Sequence, residues 1–222
     1  MSVTEIYFIR HCEATGNISR RIQGVTDNDI TEMGAKQLVH LSKRFKDIEL
    51  DAVYSSPLKR TIKTAHAVAD PKGLEVKTAD DVIEINCGVY EDIPFEELFS
   101  NPQLSDIWRN HPQDLEPEGG EPQRDAYVRI WEASKRLARE NRGKSIAVAT
   151  HGGVIRCLCC RLKLGTVERL VEMPYADNTA VTLVRFDDDL NAELVFFNDN
   201  THLPEDCMPK YSRVPSPTEA KV

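Results

Sequence analysis

The chain has 222 residues, 41% hydrophobic and 29% charged, the composition of a globular protein with enough length for a substantial core. Its formal net charge of −8 argues against a nucleic-acid or anionic-membrane surface. A local arginine cluster can still hold an anion, because distant charge is screened within roughly 10 Å. No apolar run approaches a membrane span, and the short one at 6–9 is cut by Arg10, so a cytoplasmic protein is expected.

In chain order, the run 6–9 reads as a strand that passes through Arg10 into His11. A polar loop leads to Ile30, and Thr31 then caps a helix with Leu38, Leu41 and Phe45 at helical spacing. Ala52, Val53 and Tyr54 predict a second strand. Ser56 and Pro57 read as an N-cap and a first-turn proline, with Leu58, Ile62, Ala65 and Ala69 as the buried stripe of the next helix. The apolar run 82–85 is interrupted by one carboxylate, Glu84.

From about 88 to 124 the periodicity breaks. Pro94, Pro102, Pro112, Pro117 and Pro122, with Gly119 and Gly120, leave only short helical pieces, and the segment reads as a cap inserted over the core. Tyr127, Ile130, Trp131, Leu137 and Ala138 then mark one helix face, closed by Gly143. Strand Ser145–Thr150 runs into His151, a helix begins near Gly153 and ends at Gly165, and 181–186 with 193–197 suggest a late strand pair. Strands interleaved with helices predict a three-layer α/β/α sandwich with a mainly parallel sheet and a small cap. Residues 1–200 are expected to form one domain, and the proline-rich 201–222 a tail.

Six cysteines without a secretory signal read as free thiols. Cys157, Cys159 and Cys160 crowd one helix, but no second pair stands at zinc-ligand spacing, so they are expected in the core and no metal or cofactor is implied.

The chemistry turns on the two strand-end histidines. If both strands are parallel in one sheet, His11 and His151 emerge at the same carboxyl edge, where open α/β sheets bind ligands. Gly152 and Gly153 allow close backbone approach there. With Arg10 they make a site for an anion that an imidazole can attack. A lone strand-end histidine is more often structural, and the recurrence is what favours the site. Arg60 lies opposite the apolar stripe of its helix and so reads as solvated; a helix start after a parallel strand can instead aim it into the cleft. Glu84 on an alternating strand would face water; in a pocket its apolar neighbours would keep it neutral and suited to donate a proton.

These residues together resemble the histidine phosphatase superfamily, the phosphoglycerate-mutase-like proteins, whose signature is Arg-His-Gly-Glu with an Asn four residues later. The stretch here is Arg10-His11-Cys12-Glu13-Ala14-Thr15-Gly16-Asn17. The likeness continues in Gln23-Gly24, Ile30-Thr31 with Gly34, Ser56-Pro57-Leu58-Lys59-Arg60-Thr61 with Thr64-Ala65, Ile83-Glu84-Ile85 with Gly88, and Thr150-His151-Gly152-Gly153, spanning most of 4–155. It implies a metal-independent phosphohistidine mechanism on a small phosphomonoester, in the phosphatase branch. By that analogy His11 attacks phosphorus, and Arg10, Asn17, Arg60 and His151 bind its oxygens. Glu84 protonates the leaving group and then activates water. Cys12 stands where the family has Gly, and Val89-Tyr90-Glu91-Asp92 replaces its aromatic-Glu-Gly.

A cysteine-dependent phosphatase needs an arginine six residues beyond Cys12, and position 18 is Ile, so that reading fails on spacing. A phosphoglycerate mutase would use the same core but return the phosphoryl group to substrate. It would need cations for a second anionic group, yet Arg109 is the one Lys or Arg in 88–122, against Glu91, Asp92, Glu96, Glu97 and further acids, which leaves a base recruited from elsewhere, such as Arg20 or Arg21, as the source. A phosphate-binding regulatory module without turnover is the non-enzyme alternative. The expected partner is a small phosphorylated molecule, not nucleic acid or membrane, with the oligomeric state left open.

Overall fold

Apolar runs that alternate with amphipathic stretches pair here into one sheet covered on both faces. In the computed structural model, which describes residues 2–209, the chain runs β1 (Thr4–Arg10), α1 (Thr15–Ile18), α2 (Glu32–Phe45), β2 (Ala52–Ser55), α3 (Lys59–Ala69) and β3 (Val76–Thr78). The cap follows with α4 (Phe95–Ser100) and α5 (Pro102–Asn110), then α6 (Gln123–Glu140), β4 (Ser145–Thr150), α7 (Gly152–Leu164), β5 (Val181–Phe186) and β6 (Ala192–Asp199).

The strand order is β3-β2-β4-β1-β5-β6, with β3, β2, β4 and β1 mutually parallel and β5 antiparallel to both its neighbours. β1 and β4 are central and buried on both faces, which is why they read as unbroken apolar runs. Successive side chains of β1 point to opposite faces. Ile6 and Phe8 join Ile130 and Leu137 of α6 and Ile155 and Leu158 of α7. Ile9 packs on the other face with Leu41 and Phe45 of α2 and Val68 of α3. Each such buried side chain contributes about 1.5–3 kcal/mol relative to exposure. The expected α/β/α sandwich is the observed fold.

Register decides where the histidines stand. Ile9 lies opposite Ala149 and Arg10 opposite Thr150, so His11 and His151 leave neighbouring strands at one level of the carboxyl edge.

Three details differ from the sequence expectations. β3 is a three-residue edge strand with no buried residue, so no apolar run marks it. The run 82–85 is not a strand: a 3-10 turn, Asp80–Val82, leads into an irregular segment. The helix after β2 starts at Lys59 with Leu58 as N-cap, so Ser56 is not its cap. Thr31 does cap α2, its side chain accepting from the Gly34 amide at 2.9 Å.

The segment 88–124 folds as short helices around Ile22, Leu98, Phe95, Phe99 and Trp108, tied to the loop at 20–22 by backbone bonds from Ile22 to Ile93 and from Phe95 to Arg20. Of the proposed tail, residues 201–209 are packed: Leu203 and Cys207 are buried, and Gln37 Nε2 donates to the Cys207 carbonyl at 3.0 Å. The remainder, 210–222, lies outside the described residues. All six cysteines are free and buried. Among the described residues no helix is long and apolar enough to cross a membrane.

Candidate active site

The end of β1 is clamped by the turn before β5. The Thr179 amide donates to the carbonyls of Arg10 at 3.0 Å and His11 at 3.3 Å, and Asn178 Nδ2 donates to the His11 carbonyl at 3.0 Å. Thr179 adopts φ 57°, a left-handed conformation that costs a β-branched residue about 1–3 kcal/mol and persists only where its surroundings over-determine it.

His11 is 3% exposed, and its Nδ1 lies 2.7 Å from the Cys12 carbonyl. A carbonyl can only accept, so Nδ1 carries the proton and Nε2 presents a lone pair. Burial first, then the charges of Arg60 and Arg10, hold the imidazole well below its ordinary pKa, and it is neutral near pH 7. The His151 ring centroid stands 5.3 Å from that of His11.

Arg10 Nη1 donates to the Ala176 carbonyl at 2.5 Å. Arg60 is fully buried, contrary to the solvated reading. The buried face of α3 is Arg60, Thr61, Thr64, Ala65, Val68 and Ala69, which includes Ala65 and Ala69 of the expected stripe, and its threonines satisfy themselves on carbonyls: Thr61 Oγ1 donates to Leu58 and Thr64 Oγ1 to Arg60. Polar residues bonded in this way hid the true face from the apolar pattern. Arg60 Nη1 donates to the Thr26 carbonyl at 2.7 Å and Nη2 to the Gly24 carbonyl at 2.8 Å. Burial pulls its pKa down to about 10, which still leaves a cation at neutral pH.

The loop that receives Arg60 is itself built on Glu91. Its carboxylate accepts from the amides of Gly24, Val25, Thr26 and Cys87 and from the Thr26 hydroxyl. Burial would raise its pKa, but these bonds hold it below the usual value. A Cβ on Gly24 would fall 2.0 Å from Glu91 Oε1, so only glycine fits. In the sequence Glu91 counts among the acids of the cap, and the Tyr90-Glu91 pair in the place of the family's aromatic-Glu is the one local signal that sets it apart.

Glu84 sits at the N-terminus of α7. Its Oε2 accepts from the Gly153 amide at 2.9 Å, and Oε1 from Val154 at 3.2 Å and Ile85 at 3.0 Å. Desolvation raises its pKa, and the helix amides, Arg60 and Arg10 only partly offset that. The segment bearing it is pinned by Thr150 Oγ1 donating to the Val82 carbonyl at 2.6 Å and by Arg129 donating to the carbonyls of Asp81 and Ile83. The carboxyl thus faces the arginines, not water alone.

His151 is fully buried, and its Nε2 lies 2.7 Å from Ser56 Oγ. Asn17 accepts from the Ala14 amide on Oδ1 at 2.9 Å, which turns its amide nitrogen into the end it can offer an anion. Cys12 is buried, and burial pushes its thiol up to about 12, so it is a neutral neighbour without nucleophilic character. Cys157 is likewise buried, its thiol pushed up to about 12, in the core as expected. Two guanidiniums, two neutral imidazoles and one high-pKa carboxyl therefore meet at one sheet edge. Such a set has the chemistry to hold a dianion, offer it a nucleophilic nitrogen and supply a proton. Sequence reasoning missed Ser56, Glu91, Arg129, Asn178 and Thr179, all of which act through folding contacts distant in the chain.

Residues 6–200 match the family model of the histidine phosphatase superfamily, branch 1. The chain belongs to that superfamily. It is therefore a phosphatase of the histidine type. The chain is 30% identical over 204 residues to phosphoserine phosphatase 1 of Hydrogenobacter thermophilus, covering 91% of this chain and 96% of that protein. It is 32% identical over 207 residues to phosphoglycerate mutase-like protein 4 of Arabidopsis thaliana, covering 90% and 87%. Among solved structures, Bacillus stearothermophilus YhfR superposes with a TM-score of 0.83 at 28% identity, covering 90% of this chain and 98% of that one.

Proposed function

We propose that this histidine phosphatase hydrolyses a small phosphomonoester through a phosphohistidine on His11, without a metal. The observation that carries the reading is the bond between His11 Nδ1 and the Cys12 carbonyl, which leaves Nε2 unprotonated in a neutral ring beside Arg10 and Arg60. Nε2 forms the bond to phosphorus while the ester P–O bond breaks, and Glu84 gives its proton to the departing oxygen. Glu84, now a carboxylate, takes a proton from water as that water attacks phosphorus and the P–N bond breaks. Inorganic phosphate leaves with His11 and Glu84 restored. Arg10, Asn17, Arg60 and His151 bind the three phosphoryl oxygens, where positive donors stabilise the transferring group most.

Relatives named phosphoserine phosphatase support a phosphorylated small molecule of that kind as substrate. Release to water, not mutase transfer, is supported by the engagement of two nearby cations: Arg109 of the cap stacks on Phe99 at 4.2 Å, and Arg21 of the neighbouring loop donates to the Asp92 carbonyl. Free thiols at all six cysteines fit a cytoplasmic protein. Acid-labile phosphate trapped on the unaltered protein and absent from His11→Ala, together with loss of turnover, is the expected result. Near-normal activity in His11→Ala would overturn the reading. With 3-phosphoglycerate and catalytic 2,3-bisphosphoglycerate, phosphate release should outpace formation of 2-phosphoglycerate.

A further inference from the structure

One ring nitrogen of His151 is taken up by a side chain from another strand end. Ser56 follows β2, is fully buried, and meets His151 Nε2 with its hydroxyl at 2.7 Å. Its backbone is pinned, the amide donating to Ala149 at 3.0 Å and the carbonyl accepting from Ser55 Oγ at 2.7 Å and Thr61 Oγ1 at 3.0 Å. The other nitrogen of His151, Nδ1, is buried and has no hydrogen-bond partner in the protein. We infer that Ser56 is a positioning residue that sets the tautomer of His151: its hydroxyl donates to Nε2, so that Nδ1 carries the hydrogen and donates it to an oxygen of the bound phosphoryl group.

The alternative tautomer fails twice on hydrogen-bond accounting. With the hydrogen on Nε2, the Ser56 hydroxyl becomes the acceptor and its own hydrogen is buried without an acceptor. The Nδ1 lone pair would then face the bound anion, which repels it. In the proposed arrangement both hydroxyl and imidazole are satisfied, and the buried N–H left over is the one the ligand pairs. Tautomer matters here because the ring is neutral: burial and the nearby Arg60 and Arg10 charges disfavour imidazolium, so only one nitrogen carries a hydrogen. His11 is set in the mirror sense by the Cys12 carbonyl, with its hydrogen on Nδ1 turned away from phosphorus and its lone pair toward it. One histidine is thus fixed as nucleophile by an acceptor, and the other as donor by a hydroxyl.

This inference rests on the phosphatase reading for the role of the anion, but the tautomer itself is measured without turnover. Long-range proton–nitrogen spectra of the full chain, labelled at histidine and taken at neutral pH, should show His151 protonated at Nδ1 and not at Nε2. Added inorganic phosphate should shift the Nδ1 hydrogen more than any signal at Nε2. Ser56→Ala should move the hydrogen toward Nε2 and weaken inhibition by inorganic phosphate about tenfold, the scale of one hydrogen bond to a charged group. Ser56→Thr, which keeps the hydroxyl, should restore both the spectrum and the inhibition. Protonation at Nε2 in the unaltered protein, or an unchanged His151 pattern in folded Ser56→Ala, would overturn the inference. If Ser56→Ala does not fold, the spectrum of the unaltered protein and of Ser56→Thr decides alone. Failure to trap a phosphohistidine would count against the function proposed above and leave the tautomer result standing.

Discussion

The proposed mechanism requires Glu84 and His11 to be in opposite states for its first step: the carboxyl protonated, the imidazole not. Burial moves both pKa values in the useful direction, Glu84 up from 4.5 and His11 down from 6.5. Turnover should therefore persist into acid, since His11 stays neutral there, and fall as pH rises through the elevated Glu84 value. Glu84→Gln should remove that alkaline fall and cut turnover of alkyl phosphates about a hundredfold, the scale of a lost general acid. The loss should be smaller for p-nitrophenyl phosphate, whose leaving oxygen needs no proton. Steady-state rates against pH for both substrates check this, and equal losses would show that another group is the acid. The same burial carries a stability cost. His151 has a folded pKa below its unfolded value of about 6.5, so its contribution is full above that pH and is lost as pH falls toward the folded value, where the unfolded chain binds the proton first. The difference in unfolding free energy between the unaltered protein and His151→Asn should accordingly narrow in that window as pH falls from 7.5 to 5, read by denaturant titration at each pH.

At the scale of elements, the proposed phosphate site is a meeting of ends: β1, β4 and β2, the N-termini of α3 and α7, and the loop at 24–26. Glu91 joins the cap to this assembly, because the loop it gathers supplies the carbonyls that hold Arg60. An amide in its place keeps the shape but offers one acceptor atom where the carboxylate offers two. Glu91→Gln should weaken inhibition by inorganic phosphate about tenfold and lower turnover of alkyl and p-nitrophenyl phosphates alike, since in the proposed mechanism Arg60 holds the phosphoryl oxygens and takes no part in proton transfer. Unchanged phosphate inhibition would show that the loop holds Arg60 without help from the cap. Gly153 illustrates the same coupling at α7: a Cβ there would come within 2.6 Å of Glu84 Oε1.

Across the whole molecule, α2 links the exit of β1 to the last described turn of the chain. Gln37, fully buried, accepts from the Glu13 amide at 2.9 Å and donates to the Cys207 carbonyl at 3.0 Å. Gln37→Ala orphans both groups, a cost of about 3 kcal/mol. For a domain of this size that lowers the unfolding midpoint by about 10 °C, measurable by calorimetry on the full chain. A shift under a degree or two would show that the two Gln37 bonds add little to stability.

What the sequence determined by itself is local or carried by motif. The central strands were legible because strands buried on both faces need unbroken apolar runs, and α2 because Thr31 and its helical spacing act within a few residues. That the two strand-end histidines would stand together was legible for the same reason: strand and loop follow one another in the chain. Tertiary structure decided which polar residues are interior. Arg60 looked solvated because burying a guanidinium requires carbonyls from 34 and 36 residues away, and no periodicity encodes distant acceptors. Ser56 looked like a helix cap, yet its hydroxyl turns to His151, 95 residues on. Glu91 counted only as one of several cap acids and is the centre of a backbone cradle. In each case apolar burial leaves a pattern in the local sequence, whereas a buried polar group is stable only through partners that folding brings to it.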